Sequence, residues 1–310
     1  YNRKLQRIKE GVDTDWLSIP LQNTFEHQHS IFIEGGNKDL RYGIKGVFHN
    51  TPGVMKHSSR KRAGTGFFLD YRLKNLQVTN DISYTFVRGD ESPYGNFSDY
   101  SKLQPYDRPY DENGNLMNVP IKYPDGSYGV PLQEMNGDVP RGSDNLVARA
   151  YDNDSKNFTD RVQIDFGLTV DILKGLTFKT TNSYNVTNKS SWDYSPRNER
   201  TITSDGLDTF SMEMSRSSDW NSENYFNYIF DTKGHHINAM VGQSFNQSVD
   251  GFELKGSAKD FPADNYRDIA STLNSTTKNV EGALKVKTTR FTHYMYRMKT
   301  TSNKLITNIL

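Results

Sequence analysis

Residues 161–186 read RVQIDFGLTVDILKGLTFKTTNSYNV, with an apolar side chain at nearly every second position. Val162, Ile164, Phe166, Leu168, Val170 and Ile172 fall on one side, and Arg161, Gln163, Asp165, Gly167, Thr169 and Asp171 on the other. After Leu173-Lys174-Gly175 the pattern restarts. Leu176, Phe178, Tyr184 and Val186 share a face, interrupted by Thr180 and Asn182. Successive side chains of a strand point to opposite faces, so strict alternation predicts β-structure. Two alternating runs joined by a tight Gly-containing turn predict a hairpin. Each strand has one apolar and one polar face, and the apolar face must meet either a second sheet or lipid.

The same pattern recurs along the chain. Leu40, Tyr42, Ile44 and Phe48 share a face; so do Phe67, Leu69, Tyr71 and Leu73; so do Leu76, Val78, Ile82, Tyr84 and Phe86, with Asn80 the exception. Residues 219–230 and 235–245 are strand-like with a less regular alternation. The connections between these runs alternate in length. Residues 35–39, 74–75, 173–175 and 231–234 are short, whereas 49–60, 88–157, 188–208 and 248–284 are longer. An up-and-down barrel puts every second connection on the same side of the membrane, with short periplasmic turns and long extracellular loops. A Greek-key sandwich has no reason to keep that rhythm, because its connections cross between sheets. A loop as long as 88–157 is also unusual in a compact soluble domain.

Composition agrees without deciding. Among 310 residues only 34% are hydrophobic, yet there are 18 Tyr and 17 Phe, and mean hydropathy is −0.79. This suits a barrel with a wet interior and equally an extracellular sandwich. No apolar run approaches the ~18 residues a transmembrane helix needs. The net charge of +1 gives no basic stripe for nucleic acid. With no cysteine, thiolate metal sites and a cysteine nucleophile are excluded. Phe67, Tyr84, Phe86, Tyr184, Trp220, Phe230 and Phe245 lie toward strand ends. They fit an aromatic girdle and, as well, the ordinary strand enrichment in rings. The chain opens at Tyr1 and stops at NKLITNIL without an obvious closing strand, so it is expected to be a fragment. Residues 288–310 alternate poorly, with Lys and Arg on both faces, and leave open a diverged strand or a frame-shifted end.

Three passages in order carry a family resemblance. They are DTDWL (13–17) followed by HQHSIFIEGGNKDLRYGIKGVFHNTPGVMK (27–56), then SPYGNFSDYSKLQPYDRPYDENGNL (92–116), then GHHINAMVGQSF (234–245). They resemble the first part of the barrel in SusC/RagA-like TonB-dependent transporters, outer-membrane proteins of Bacteroidota. Gly35, Gly36, Arg41, Tyr42, Gly53 and Lys56 stand at that family's patterned positions. The resemblance covers roughly residues 10 to 250. It implies a plugged barrel, of which the largest have about 22 strands, and import of oligosaccharides or peptides driven by the TonB complex through the plug region. It also implies a SusD-like surface lipoprotein as partner. On this reading residues 1–24 lead in between plug and barrel, and 25–310 form the N-terminal part of the barrel.

The candidate contact residues lie in the long loop. Tyr94, Phe97, Tyr100, Tyr106 and Tyr110 stand among Asp99, Asp107, Arg108, Asp111 and Glu112. Rings beside hydrogen-bonding groups suit sugars or peptides, while the plainer reading is that they pack the loop as its own small core. Asp111 belongs with the rings as a contact candidate; the DENGN run (111–115) fails the calcium-loop pattern, because position 116 is Leu. His235 and His236 are adjacent on a strand, point apart, and have no third ligand at suitable spacing. No H-E-x-x-H, G-x-S-x-G or phosphate-loop motif is present. The expectation is an all-β, partial antiparallel up-and-down transmembrane β-barrel with about eight strands of a larger one. It lies in outer-membrane lipid and is not an enzyme, with no cofactor, metal or nucleic acid. The alternative is a secreted or surface β-sandwich that binds glycans.

Overall fold

The computed structural model describes residues 2–110, 113–114, 121–122, 128–129, 147, 154–195, 208–232, 235–262, 269, 279–283, 287–302 and 305–309. A short helix α1 (Asn2–Lys9) precedes strands β1 (His27–Gly36), β2 (Leu40–Pro52), β3 (Ser59–Leu73) and β4 (Leu76–Asp90). One helical turn α2 (Phe97–Tyr100) and a two-residue hairpin of β5 (Ile121–Lys122) and β6 (Tyr128–Gly129) follow. Then come β7 (Asp154–Leu173), β8 (Leu176–Ser195), β9 (Thr209–Thr232), β10 (His235–Lys259), β11 (Asn279–Ala283), β12 (Lys287–Ser302) and β13 (Leu305–Ile309). Apart from the β5–β6 hairpin, all strands join one sheet in the order β1-β2-β3-β4-β7-β8-β9-β10-β12-β13, with β11 pairing beside β10. Each neighbour along this path is antiparallel and, with β11 set aside, next in chain order among the sheet's strands, which is the up-and-down topology the loop rhythm predicts.

The register turns separate alternations into continuous rows. Ile33, Ile44, Phe67, Ile82, Ile164, Tyr184 and Trp220 stand opposite one another from β1 to β9. All seven are between 37% and 60% exposed. Among the described residues no second sheet covers this face, so the sandwich alternative lacks the apolar layer it requires. The face instead forms a band. On β4 the outward positions run from Leu76 to Phe86, ten steps of roughly 3.3 Å. At a barrel tilt near 40° they climb about 25 Å, the height of the apolar belt of a membrane barrel.

The opposite face is concave and polar. A hollow of about 660 Å³ is lined there by Asp70, Thr79, Asp81, Asp165, Thr181 and Glu223, among others. Asp81 and Asp165 stand directly opposite each other, an arrangement that like charges disfavour. Lys45 Nζ answers it by donating to both Asp81 oxygens at 2.8 and 2.7 Å. Asp165 accepts from Gln163 Nε2 at 2.7 Å. Two stacked rings, Phe32 and Phe68, interrupt the polar wall with centroids 5.6 Å apart.

Short turns close one end of the sheet and keep its ladder running. Arg72 N donates to Asp39 O (2.7 Å), Asp171 N to Asn75 O (2.8 Å) and Ile229 N to Gly175 O (2.7 Å), each tying a turn to the next strand. In the first turn Asn37 Oδ1 accepts from the amides of Asp39 and Leu40. Gly175 has φ +83°, and a Cβ there would lie 2.1 Å from Ile229 O. Both the left-handed backbone and the close carbonyl require glycine. Gly175→Ala should therefore cost more than about 1–2 kcal/mol, read as a lower unfolding midpoint in micelles. Lys174→Ala at the neighbouring turn position should stay within about 0.5 kcal/mol; equal effects would refute the assignment.

Three expectations change. First, β7 to β10 run for 20 to 25 residues, about twice the 9–11 that span a bilayer. The excess reaches into stretches expected to be loop, leaving connections at 91–153, 196–208 and 260–286. Past the apolar belt both faces are polar, so hydrophobic alternation stops while pairing continues. Second, Ile172 does not extend its row, because a register shift between Asp171 and Leu173 sets it in a bulge beside the turn. Third, the described residues of the poorly alternating tail form strand, one of the two readings left open. β12 pairs with β10 over sixteen positions, placing Tyr294, Tyr296 and Met298 beside Gln243, Val241 and Ala239 on the outward face. Its alternation is masked because Phe291 and Met295 occupy the inward face while Arg290 faces outward, donating to Gln247 Oε1 at 3.2 Å.

Candidate functional site

Three segments distant in sequence meet at the long-connection end. The segment before β1 lies along the β2–β3 connection: Gln22 N donates to Val54 O (2.9 Å) and Lys56 N to Pro20 O (2.7 Å), and Leu21 bridges Met55. Lys56 Nζ adds a bond to Ile19 O at 2.6 Å. The start of the long loop then locks onto both. Ser92 Oγ donates to Lys56 O (2.8 Å), Thr14 N to Pro105 O (2.7 Å), Trp16 Nε1 to Gln104 O (3.0 Å), and Arg108 pairs with Glu10 at 3.2 Å. Beneath these bonds Trp16, Tyr100 and Val147 form a buried cluster, flanked by Ile19, Tyr94 and Leu103. The result is a compact platform above the lipid belt.

This geometry divides the candidate rings. Tyr100 is 1% exposed and forms the platform's core. Tyr94 packs parallel to His57 with centroids 6.3 Å apart and lies under Lys56 Nζ at 5.9 Å. Tyr106 is half-buried. Phe97 and Tyr110 remain about 40% exposed. Asp111 lies outside the described residues, as does most of the DENGN run. Among the described residues no group of metal-ligating side chains forms. His236 instead contacts Asp231 across the β9–β10 hairpin.

Several patterned residues acquire structural roles. Arg41 pairs with Glu34 across the first hairpin at 3.0 Å, and the Tyr42 ring covers Gly35. Gly36, at φ +132°, accepts no side chain, since Leu40 O would lie 2.0 Å from its Cβ. Gly53 lets Ser58 close the β2–β3 connection. Higher on the concave face, Lys255 on β10 lies 2.8 Å from Glu253 and 3.6 Å from Glu213. The hydrogen bond to Glu253, then the charges of both carboxylates, hold its ammonium pKa above the usual lysine value. Two hollows of about 300 and 370 Å³ flank this group and are rich in serine and threonine hydroxyls. Sequence reading passed over these residues, because charges at alternate positions of separate strands carry no sign of meeting.

No protein-family profile matches the chain, and no curated protein does. Solved structures do. A structure of the RagAB peptide transporter matches at TM-score 0.73 and 17% identity, over 94% of this chain and 32% of that one. The chain has the fold of a transmembrane β-barrel wall. The RagAB peptide importer in its closed-closed state gives TM-score 0.71 at 16% identity over the same shares, and the open-open state gives 0.71 at 17%. The barrel wall described here spans about a third of the length of the chains it matches.

Proposed function

We propose that this barrel wall belongs to a SusC/RagA-like TonB-dependent transporter of the outer membrane that imports oligosaccharides or peptides. The observation that carries the reading is the match of nearly the whole sheet to one third of a peptide transporter. The three sequence passages support it. Gly36, Arg41 and Tyr42 build the first hairpin, Lys56 and Trp16 build the platform, and HHINAMVGQSF (235–245) begins β10. The lipid-facing belt and polar concave wall are what such a barrel needs around a plug. Residues 1–24 lead into the barrel and 25–310 form its first part. A SusD-like lipoprotein seats on the long-connection end, touching Phe97 and Tyr110. The TonB complex acts through the plug region.

The test is growth of the source bacterium with the gene for the full transporter deleted, on peptides or on oligosaccharides as the limiting nutrient. One substrate class should fail to support growth, and loss of TonB should reproduce the defect. Because the solved relative is named a peptide transporter, peptides are the first class to try. Unchanged growth on both classes, with the protein soluble without detergent, would overturn the reading.

A further inference from the structure

One row of outward residues lies immediately above the apolar belt on β1 to β7. His27, Asn50, Lys61, Arg88 and Phe158 are consecutive cross-strand neighbours. The row below it on the same face includes Phe48 and Phe86, which end the belt. Two residues of rise along a tilted strand put Lys61 and Arg88 about 5 Å above Phe86. That is headgroup level, at the long-connection end.

The row is electrostatically incomplete. Lys61 and Arg88 stand directly opposite each other, and like charges so placed repel. Arg88 reaches Asp90 at only 3.3 Å, and Lys61 is exposed with no ion-pair partner among the described residues. The guanidinium lies over the Phe158 ring at 5.6 Å, and its side chain is 43% exposed. Three side-chain atoms of the row, Arg88 Nε, Asn50 Oδ1 and His27 Nδ1, are shut off from solvent without a hydrogen-bond partner among the described residues. Two cations side by side call for an anion with several acceptor oxygens that can touch both.

We propose that this row is a binding site for the phosphate of an acidic lipid in the outer leaflet, with Lys61 and the Arg88 guanidinium as its donors. The site's level decides the source of the phosphate. The acyl chains of a bound lipid would lie down the Ile31, Phe48, Phe86 and Tyr84 surface, which a free anion would not use. Basic residues at the membrane surface each contribute about 1 kcal/mol toward anionic lipid, so the pair amounts to a preference of tenfold or more. The inference rests on the barrel reading, since it takes the convex face as lipid-facing.

The experiment is native mass spectrometry of the full-length protein in dodecyl maltoside, titrated with phosphatidylglycerol and separately with phosphatidylcholine. Phosphatidylglycerol should bind about tenfold more tightly. Lys61→Gln should weaken it severalfold, Lys61→Arg should not, and the Lys61→Gln/Arg88→Gln pair should remove the preference. Lys61 has an exposed side chain, so Lys61→Gln tests the site even if the double variant folds poorly. Unchanged phosphatidylglycerol binding in Lys61→Gln, or equal displacement of the lipid by inorganic phosphate, overturns the proposal. A protein that stays monodisperse without detergent overturns the barrel reading and this site with it. A detergent-requiring protein with no lipid preference overturns this site alone.

Discussion

Truncating Trp16 to alanine should loosen the long-connection end by roughly 3–5 kcal/mol and leave the strands paired. The indole is 6% exposed within the Trp16–Tyr100–Val147 cluster, and its Nε1 donates to Gln104 O. Removing it opens a cavity and strands a carbonyl, in a unit too small to refill either. The β-ladder does not pass through the cluster, so the two parts should separate cleanly. Limited proteolysis of whole cells should cut within 91–110 in Trp16→Ala and spare the unaltered protein. The heat-modified gel shift of the barrel should stay the same. Trp16→Phe should recover most of the protection, since it keeps the ring volume and loses only one hydrogen bond. Should a lipoprotein co-purify with the unaltered protein, Trp16→Ala should weaken that association, because Phe97 and Tyr110 ride on the loosened loop. Equal protease resistance in Trp16→Ala would refute the platform as the element that holds the loop.

The second large effect lies on the convex face. Ile164→Arg should destabilise the barrel in lipid by about 2–4 kcal/mol, the cost of arginine near the midplane of a lipid-facing strand. Ile164 sits between Ile82 and Tyr184, in the middle of the belt. Ser183→Arg provides the matched control. Ser183 stands opposite Asp165 on the concave face, where a cation meets water and carboxylates and should cost little. Urea unfolding in micelles reads both. If the two substitutions cost the same, the faces are not lipid and lumen, and the barrel reading fails.

Much of the fold was legible for a reason particular to strands. Side chains alternate strictly, and a lipid belt imposes one polarity on one face, so Val162 to Val170 declare both element and orientation. Legibility ended where that constraint ended. Above the belt, β7 to β10 continue in residues such as Ser190, Asp193, Ser211 and Ser257, whose pairing leaves no hydrophobic trace. In β12 the inward Phe291 and Met295 blurred a pattern that only the register with β10 restores. The contact candidates were harder still. Tyr94, Phe97, Tyr100, Tyr106 and Tyr110 look alike in sequence, yet Tyr100 is buried because it packs on Trp16, some eighty residues earlier, while Phe97 stays exposed.

The sequence by itself determined the strand-by-strand amphipathicity, the alternation of short and long connections, and the glycines that its turns require, because these are local consequences of backbone geometry and side-chain polarity. The tertiary structure alone decided which residues share a row, that Lys45 pairs with Asp81 where it faces Asp165, that Lys61 and Arg88 meet at the belt's upper edge, and that Trp16 closes over Tyr100. Those facts depend on register and on long-range contact. A shift of one residue in a strand's register would turn that strand's faces over and undo the contacts it makes.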